Sequence, residues 1–325
     1  MRLWRSANRK AGVFLAILDS LTANTVSRRE GLEPVRTVTS RIAVIIITAA
    51  FRLGILAQPA VAQQPSLVPT DSTIASRTDP LDASAKTLFT YRDAVLAGGF
   101  AVLTVAMFPV DRSLATRLQD SSTQASHLVK NASRDVQFIA DPGSIFIGVG
   151  LYGVGRIARW KEVADLGLHG TEAVALSGSI TALLKGIAGR GRPYVSGDTN
   201  PHDFKFGRGF RGGGQYASFP SGHSTVAFAA AAAVTSESRR WWPHEQWIVA
   251  PVMYGGATLV GLSRMYNNAH WASDVALGAA IGTFSGIKVV RYSHAHADNF
   301  IDRALLHMSI APANDGVRVA WTASP

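Results

Sequence analysis

From residue 94 to residue 290, apolar stretches recur between short polar or glycine-containing breaks. They fall at residues 94–110, 144–154, 162–184, 224–235, 247–262 and 275–290, with a more polar, amphipathic stretch at 114–139. No apolar–polar alternation of the kind that marks a half-buried strand stands out. The pattern predicts an all-α protein, a bundle of about six core helices. Pro109 is expected to stop the first helix and Pro251 to interrupt the 247–262 segment. Segment 224–235 is nearly all alanine, which lets a neighbouring helix pack closely. Asp165, His169 and Glu172 give segment 162–184 a polarity that a lipid-facing helix would avoid.

The apolar runs are about 11–17 residues long, short of the roughly 20 that a clean membrane span needs. Charge nevertheless favours a crossing bundle. Arg156, Arg159 and Lys161 lie between the 144–154 and 162–184 segments, and Arg239 and Arg240 follow the alanine-rich one. Both clusters belong on the cytoplasmic side by the positive-inside rule, which puts the intervening loops on the exterior side. The bundle is therefore expected to be membrane-associated, at an inner membrane with its site facing the periplasm, or else periplasmic.

Residues 42–57 form a short apolar core behind Arg36 and Arg41, followed by Ala60-Val61-Ala62. These are the parts of a secretory signal peptide, although Arg52 interrupts the core; an uncleaved anchor is the other reading. Ser27-Arg28-Arg29 is a weak twin-arginine signal. The expected organisation is a leader over 1–62, a Pro/Ser/Thr-rich linker over 63–90, a helical domain over 91–292 and a tail over 293–325.

Composition agrees with a protein of the cell envelope. Of 325 residues, 47% are hydrophobic and only 17% charged, and mean hydropathy is positive. There is no cysteine, which excludes disulfides, thiolate zinc sites and cysteine nucleophiles. The net charge of +10 would suit a nucleic-acid partner, but much of the excess sits in the leader, from Arg2 to Arg52. No zinc-finger or RNA-recognition signature accompanies it, so no nucleic-acid partner is expected.

The chemistry-bearing residues concentrate between Lys185 and Asp274. Lys185 and Arg192 are seven residues apart, at a helix end and in a loop broken by Gly189, Gly191 and Pro193. About two helical turns separate them, so both side chains can serve one point. Arginine offers a fork of donors for phosphate oxygens and lysine a compact charge. A cationic helix C-terminus favoured by the macrodipole explains the same residues.

Pro220-Ser221-Gly222-His223 precedes the alanine-rich helix. Ser221 can cap that helix, Gly222 allows close approach to the backbone, and the exposed N–H groups form an anion site. His223 would stand beside the anion, where it can give a proton to a leaving group. Ser263-Arg264-x5-His270-x3-Asp274 is the most specific of the three. On a helix, His270 and Asp274 share a face, and a carboxylate on one ring nitrogen fixes the tautomer and leaves the other nitrogen nucleophilic.

In this order the three motifs, K-x6-RP, PSGH and SR-x5-H-x3-D, resemble the type 2 phosphatidic-acid phosphatase superfamily, and every fixed position is matched. That group spans lipid phosphate phosphatases, bacterial class A acid phosphatases and vanadium haloperoxidases. The resemblance implies that Lys185, Arg192 and Arg264 bind phosphate oxygens with help from Ser221 and the Gly222 backbone. It implies that His270 attacks phosphorus to form a phosphohistidine, that Asp274 orients it, and that His223 protonates the departing alkoxide. No metal or cofactor is required of such a site, since three cations and a helix dipole can stabilise the transition state.

The resulting expectation is a phosphatase acting on a lipid phosphate or isoprenoid pyrophosphate. A soluble periplasmic acid phosphatase is the nearest alternative and a haloperoxidase a more distant one. Residues 194–219, carrying Lys205, Arg208 and Arg211, could form a lid over an anionic head group or a plain solvated loop. His169, His202, His244, His294 and His296 match no motif position and are expected to be structural or exposed.

Overall fold

The computed structural model describes residues 88–306, 308–313 and 316–321. The leader and almost all of the linker lie outside the described residues, so the expectations for 1–62 have no structural counterpart here. The described chain is a helical bundle. In order, its helices are α1 (Tyr91–Leu118), α2 (Ser121–Gln124), α3 (His127–Ala140), α4 (Gly143–Ile157), α5 (Lys161–Ala188), α6 (Gly222–Trp241), α7 (Gln246–Tyr266), α8 (Ala272–Ala295) and α9 (Phe300–Leu305). A two-stranded antiparallel hairpin, β1 (Met308–Ala313) with β2 (Gly316–Trp321), follows in the tail and is the only β-structure among the described residues.

The helices are longer than the apolar runs. α1 continues through Pro109 for 28 residues, and α7 likewise continues through Pro251. A proline costs a helix one backbone hydrogen bond and a local clash, which a long, otherwise intact helix absorbs. The amphipathic 114–139 stretch is not one helix: α1 ends at Leu118, and α2 and α3 follow. α3 stops at Ala140 because Asp141 precedes Pro142, and proline drives the residue before it out of the helical region. The chain resumes in α4, bent 48° from α3.

The core is the contact between α6 and α8. Ala229, Ala231 and Ala232 are fully buried, and along α8 Gly278 faces Ser221 and Thr225, Gly282 faces Thr225 and Ala229, and Gly286 faces Ala229 and Ala232 of α6. A methyl group at Gly282 would lie 2.2 Å from the Thr225 carbonyl oxygen, and one at Gly286 2.6 Å from that of Ala229. Small residues on both helices thus bring the two backbones together, as the alanine-rich segment suggested. α5 packs against this pair with Asp165 and His169 turned inward and buried. α1 is fixed at both ends: Asp93 meets Lys288 Nζ at 2.5 Å near the end of α8, and Asp111 meets Ser273 at its start.

Three helical stretches are long and apolar enough to cross a membrane: Tyr91–Leu118, Pro243–Tyr266 and Ala272–Ala295. The bent pair Val129–Ala140 and Gly143–Ile157 makes a fourth. Their outward faces expose Val102, Val105, Phe146, Val252 and Leu259. So much contiguous apolar surface suits lipid rather than water, and the chain is a membrane protein.

Candidate active site

α5 and α7 end, and α6 and α8 begin, at the same end of the bundle. The sequence forces the end of α5: Gly189 takes a left-handed conformation (φ 56°) and its N–H closes on the Lys185 carbonyl at 3.1 Å. A side chain at Gly189 would also collide with the Lys205 carbonyl, 2.1 Å from its Cβ. Lys185 is therefore on the last turn, and Arg192 arrives along a loop rather than two turns further up a helix. Both cations rest on carbonyls of the 194–219 loop, Lys185 Nζ on Ala217 at 2.8 Å and Arg192 Nε on Gly214 at 2.7 Å. Arg264, in the last turn of α7, is buried and its Nη1 donates to Gln137 Oε1 of α3, while its Nε has no partner.

The same loop is tied down rather than freely solvated. Arg208 donates to the Gly189 carbonyl at 2.7 Å, pairs with Asp203 at 2.9 Å and stacks on Tyr216 at 4.0 Å. Arg208 thus braces the loop against the end of α5. Lys205 and Arg211 form no such link in the contacts described for the loop.

Ser221 is the N-cap of α6 and is wholly buried. Its Oγ accepts from Ser224 N at 3.4 Å and from Ser224 Oγ at 2.8 Å, so its contribution is to hold the helix start. Gly222 opens the helix beside Lys185: a methyl group there would sit 3.5 Å from Lys185 Cε. His223 follows, half-buried. Burial, and then the charges of Arg264, Lys185 and Arg192, push its pKa down to about 4. One imidazole feeling all three cations is the mark of their convergence.

His270 and Asp274 meet, but not as neighbours on a helix face. α8 starts at Ala272 with Trp271 as its N-cap, so His270 precedes the helix. Asp274, at the third helical position, folds back: its Oδ2 accepts from Trp271 N at 2.9 Å and faces His270 Nδ1 at 3.4 Å. Capping and orientation share one carboxylate. Burial, reinforced by Lys185 and Arg192 and opposed by Asp274, pushes His270 down to about 3, so its ring is neutral.

Three residues behind this centre were not singled out from the sequence. Arg190, completely buried, binds Asp274 Oδ1 at 2.5 Å and Asp111 Oδ2 at 2.7 Å, and packs its guanidinium 4.8 Å over Phe204. Ser218 donates to Asp274 Oδ2 at 2.5 Å. Asp111 accepts from Ser273 N at 2.9 Å. A second arginine beside Arg192 in Gly189-Arg190-Gly191-Arg192 was the available signal, but spacing cannot tell a buried brace from a ligand-facing cation.

The metal-capable histidine group lies elsewhere among the described residues. His169 and His294, expected to be structural or exposed, are joined by the fully buried Glu237, far from His223 and His270.

A family model, PAP2 superfamily, matches residues 168–298, a range holding every residue of the three motifs. The lipid A 1-phosphatase of Porphyromonas gingivalis is 41% identical over 98 residues, 30% of this chain and 21% of that protein. The lipid A 1-phosphatase of Rhizobium etli is 32% identical over 155 residues, 46% of this chain and 61% of that one. The chain thus spans less than two thirds of the length of either relative. Among solved structures, the transmembrane PAP2 type phosphatidylglycerolphosphate phosphatase from Bacillus subtilis aligns at a TM-score of 0.46 and 19% identity, over 63% of this chain and 97% of that one.

Proposed function

The chain belongs to the type 2 phosphatidic-acid phosphatase (PAP2) superfamily, and from that premise we propose that it hydrolyses the phosphate ester of a membrane lipid. The meeting of Lys185 with the Gly222 opening of α6, and of His270 with Asp274, at the end of the bundle where Arg192 and Arg264 also lie carries this reading. Three fixed cations and the N–H groups that open α6 suit a tetrahedral oxyanion such as a phosphoryl group. The curated relatives make a lipid A-type 1-phosphate the first substrate to try.

The chemistry follows from the two imidazoles. His270, neutral and with Nδ1 facing Asp274 Oδ2 at 3.4 Å, attacks phosphorus with Nε2. The N–P bond forms as the bond to the lipid oxygen breaks, and the ring's new positive charge faces the Asp274 carboxylate. His223 gives its proton to the departing alkoxide. It is neutral in the free site, and the substrate's negative charge raises its affinity for that proton. His223 then takes a proton from water, hydroxide attacks phosphorus and the N–P bond breaks. Arg156, Arg159, Lys161, Arg239 and Arg240 lie at the opposite end of the helices from this centre, and the positive-inside rule then turns the site away from the cytoplasm.

The test is phosphate release by the detergent-purified protein from a lipid A 1-phosphate, an isoprenoid pyrophosphate and a soluble phenyl phosphate. Turnover of a lipid substrate at least about tenfold above the soluble ester is expected, together with an acid-labile phosphoprotein that His270→Ala abolishes. Turnover that survives His270→Ala, or activity on the soluble ester alone, overturns the reading.

A further inference from the structure

Three buried carboxylates, Asp165, Glu237 and Asp302, and two imidazoles gather at the end of the bundle away from the phosphate site. His169 lies sixteen residues before Lys185 on α5, about 24 Å along the axis, and Glu237 fourteen residues after His223 on α6, about 21 Å. His169 Nδ1 stands 2.5 Å from Glu237 Oε1, and His294 Nε2 of α8 stands 2.9 Å from both Glu237 oxygens. One ligand atom from each of the three residues lies within 4.8 Å of the others.

The surroundings resemble the outer support of a metal centre. His169 Nε2 faces Asp302 Oδ1 at 3.4 Å without forming a good hydrogen bond, and both atoms are otherwise unpartnered. Trp241 Nε1 donates to the second Glu237 oxygen at 3.2 Å. Asp165, one turn before His169 and 2% exposed, also leaves Oδ1 unpartnered. Buried carboxylate oxygens without donors are costly, and a cation held on the neighbouring Glu237 offsets that cost for Asp302 and Asp165. A ligating histidine that hands its other N–H to a carboxylate, and a ligating carboxylate that accepts from an indole, are the usual second layer around a bound ion.

We propose that His169, Glu237 and His294 form a binding site for a divalent transition-metal ion of the zinc class, braced by Asp302 and Trp241. Two imidazole nitrogens and one carboxylate suit zinc at about 2.0–2.2 Å, which sets ligand atoms roughly 3.4 Å apart, so the 2.5 Å and 2.9 Å contacts open by a few tenths of an ångström to about one ångström as the ion enters. The ion staples α5, α6 and α8 to α9, and so ties the chain that follows α8 to the bundle. The expectation that no metal is needed concerned the phosphate site and is unaffected.

The full chain, purified in detergent and stripped with a chelator, is titrated with Zn²⁺ and, separately, with Co²⁺. One ion per chain is expected, with visible Co²⁺ bands of low-symmetry four- or five-coordination and a raised melting temperature. His294→Gln, at a partly exposed position, removes the bands and the thermal shift, Asp302→Asn weakens affinity by about 10–100-fold, and His270→Ala changes neither. Absence of stoichiometric uptake by the unaltered chain means an ion-pair cluster alone and overturns the proposal. So does uptake that survives His294→Gln or is lost in His270→Ala, which would put the ion at the phosphate site.

Discussion

Arg190 and Asp274 form a completely buried ion pair, Nη1 to Oδ1 at 2.5 Å, directly behind the imidazole of His270. Asp274 spends its other oxygen on Ser218, on the Trp271 amide and on His270. The carboxylate that orients the proposed nucleophile is thus held on both sides, and Arg190 is a positioning residue. Arg190→Lys keeps a charge but loses the fork that also reaches Asp111. It is expected to lower kcat by roughly 10–100-fold with KM little changed, because His270 loses alignment rather than the substrate its cations. Arg190→Met should also destabilise the fold by about 3–5 kcal/mol by leaving two buried carboxylates unpaired. Steady-state kinetics with thermal melting checks both, and an equal rise in KM for Arg190→Lys would place Arg190 among the phosphate ligands.

The second prediction concerns protons. His223 holds its proton only below about pH 4 in the free site, and a bound anion raises that value by offsetting Arg264, Lys185 and Arg192. The complex therefore holds more protons than the free protein, and anion affinity must rise as pH falls from neutrality towards 4. Inorganic phosphate titrates in part of this range, so the comparison is with His223→Asn. The ratio of inhibition constants, variant over unaltered protein, should grow as pH falls; a flat ratio would remove His223 from the proton-bearing role.

Packing gives a pair of opposite signs. Gly282→Ala drives a methyl group to within 2.2 Å of the Thr225 carbonyl and should cost about 1–3 kcal/mol by forcing α6 from α8. Gly150→Ala, on α4 with nothing within 4 Å of the new Cβ, should gain about 0.5–1 kcal/mol from the helix preference for alanine. Melting in the same detergent compares them. α6 carries His223 and His270 lies just before α8, so Gly282→Ala should also lower turnover.

Arg208 tests the loop. Its removal takes away the side-chain tie between residues 194–219 and the Gly189 carbonyl, and the stacking on Tyr216 within the loop, and leaves backbone bonds such as Gly207 N to Ile187 O in place. Arg208→Ala should raise KM several-fold, because Lys185 and Arg192 rest on that loop, while the melting temperature changes by the equivalent of about 1 kcal/mol or less. Limited proteolysis should cut the loop faster; unchanged cleavage and KM would mean that Arg208 does not brace it.

Local signals in the sequence were sufficient for several features. Periodicity marked the main helical segments, the alanine run on α6 announced its close contact with α8, and three motifs named Lys185, Arg192, Ser221, Gly222, His223, Arg264, His270 and Asp274. Those features depend on spacing along one element or on a fixed motif, which a chain displays without folding. Other features needed the third dimension. Pro109 and Pro251 were absorbed because long helices are held by their neighbours, not by each local bond. Asp274 reached His270 by folding back over a helix start, since the cap decides where α8 begins. Arg190 became a buried brace and Arg192 an outward cation, two residues apart, because Gly189 ends α5 and turns the chain between opposite environments. His169, Glu237, His294 and Asp302 lie on four different helices, and only the packing of those helices makes them one cluster. For the site at Lys185–Asp274, the residue types were set by sequence, and the partner that holds each of them was set by the tertiary contacts.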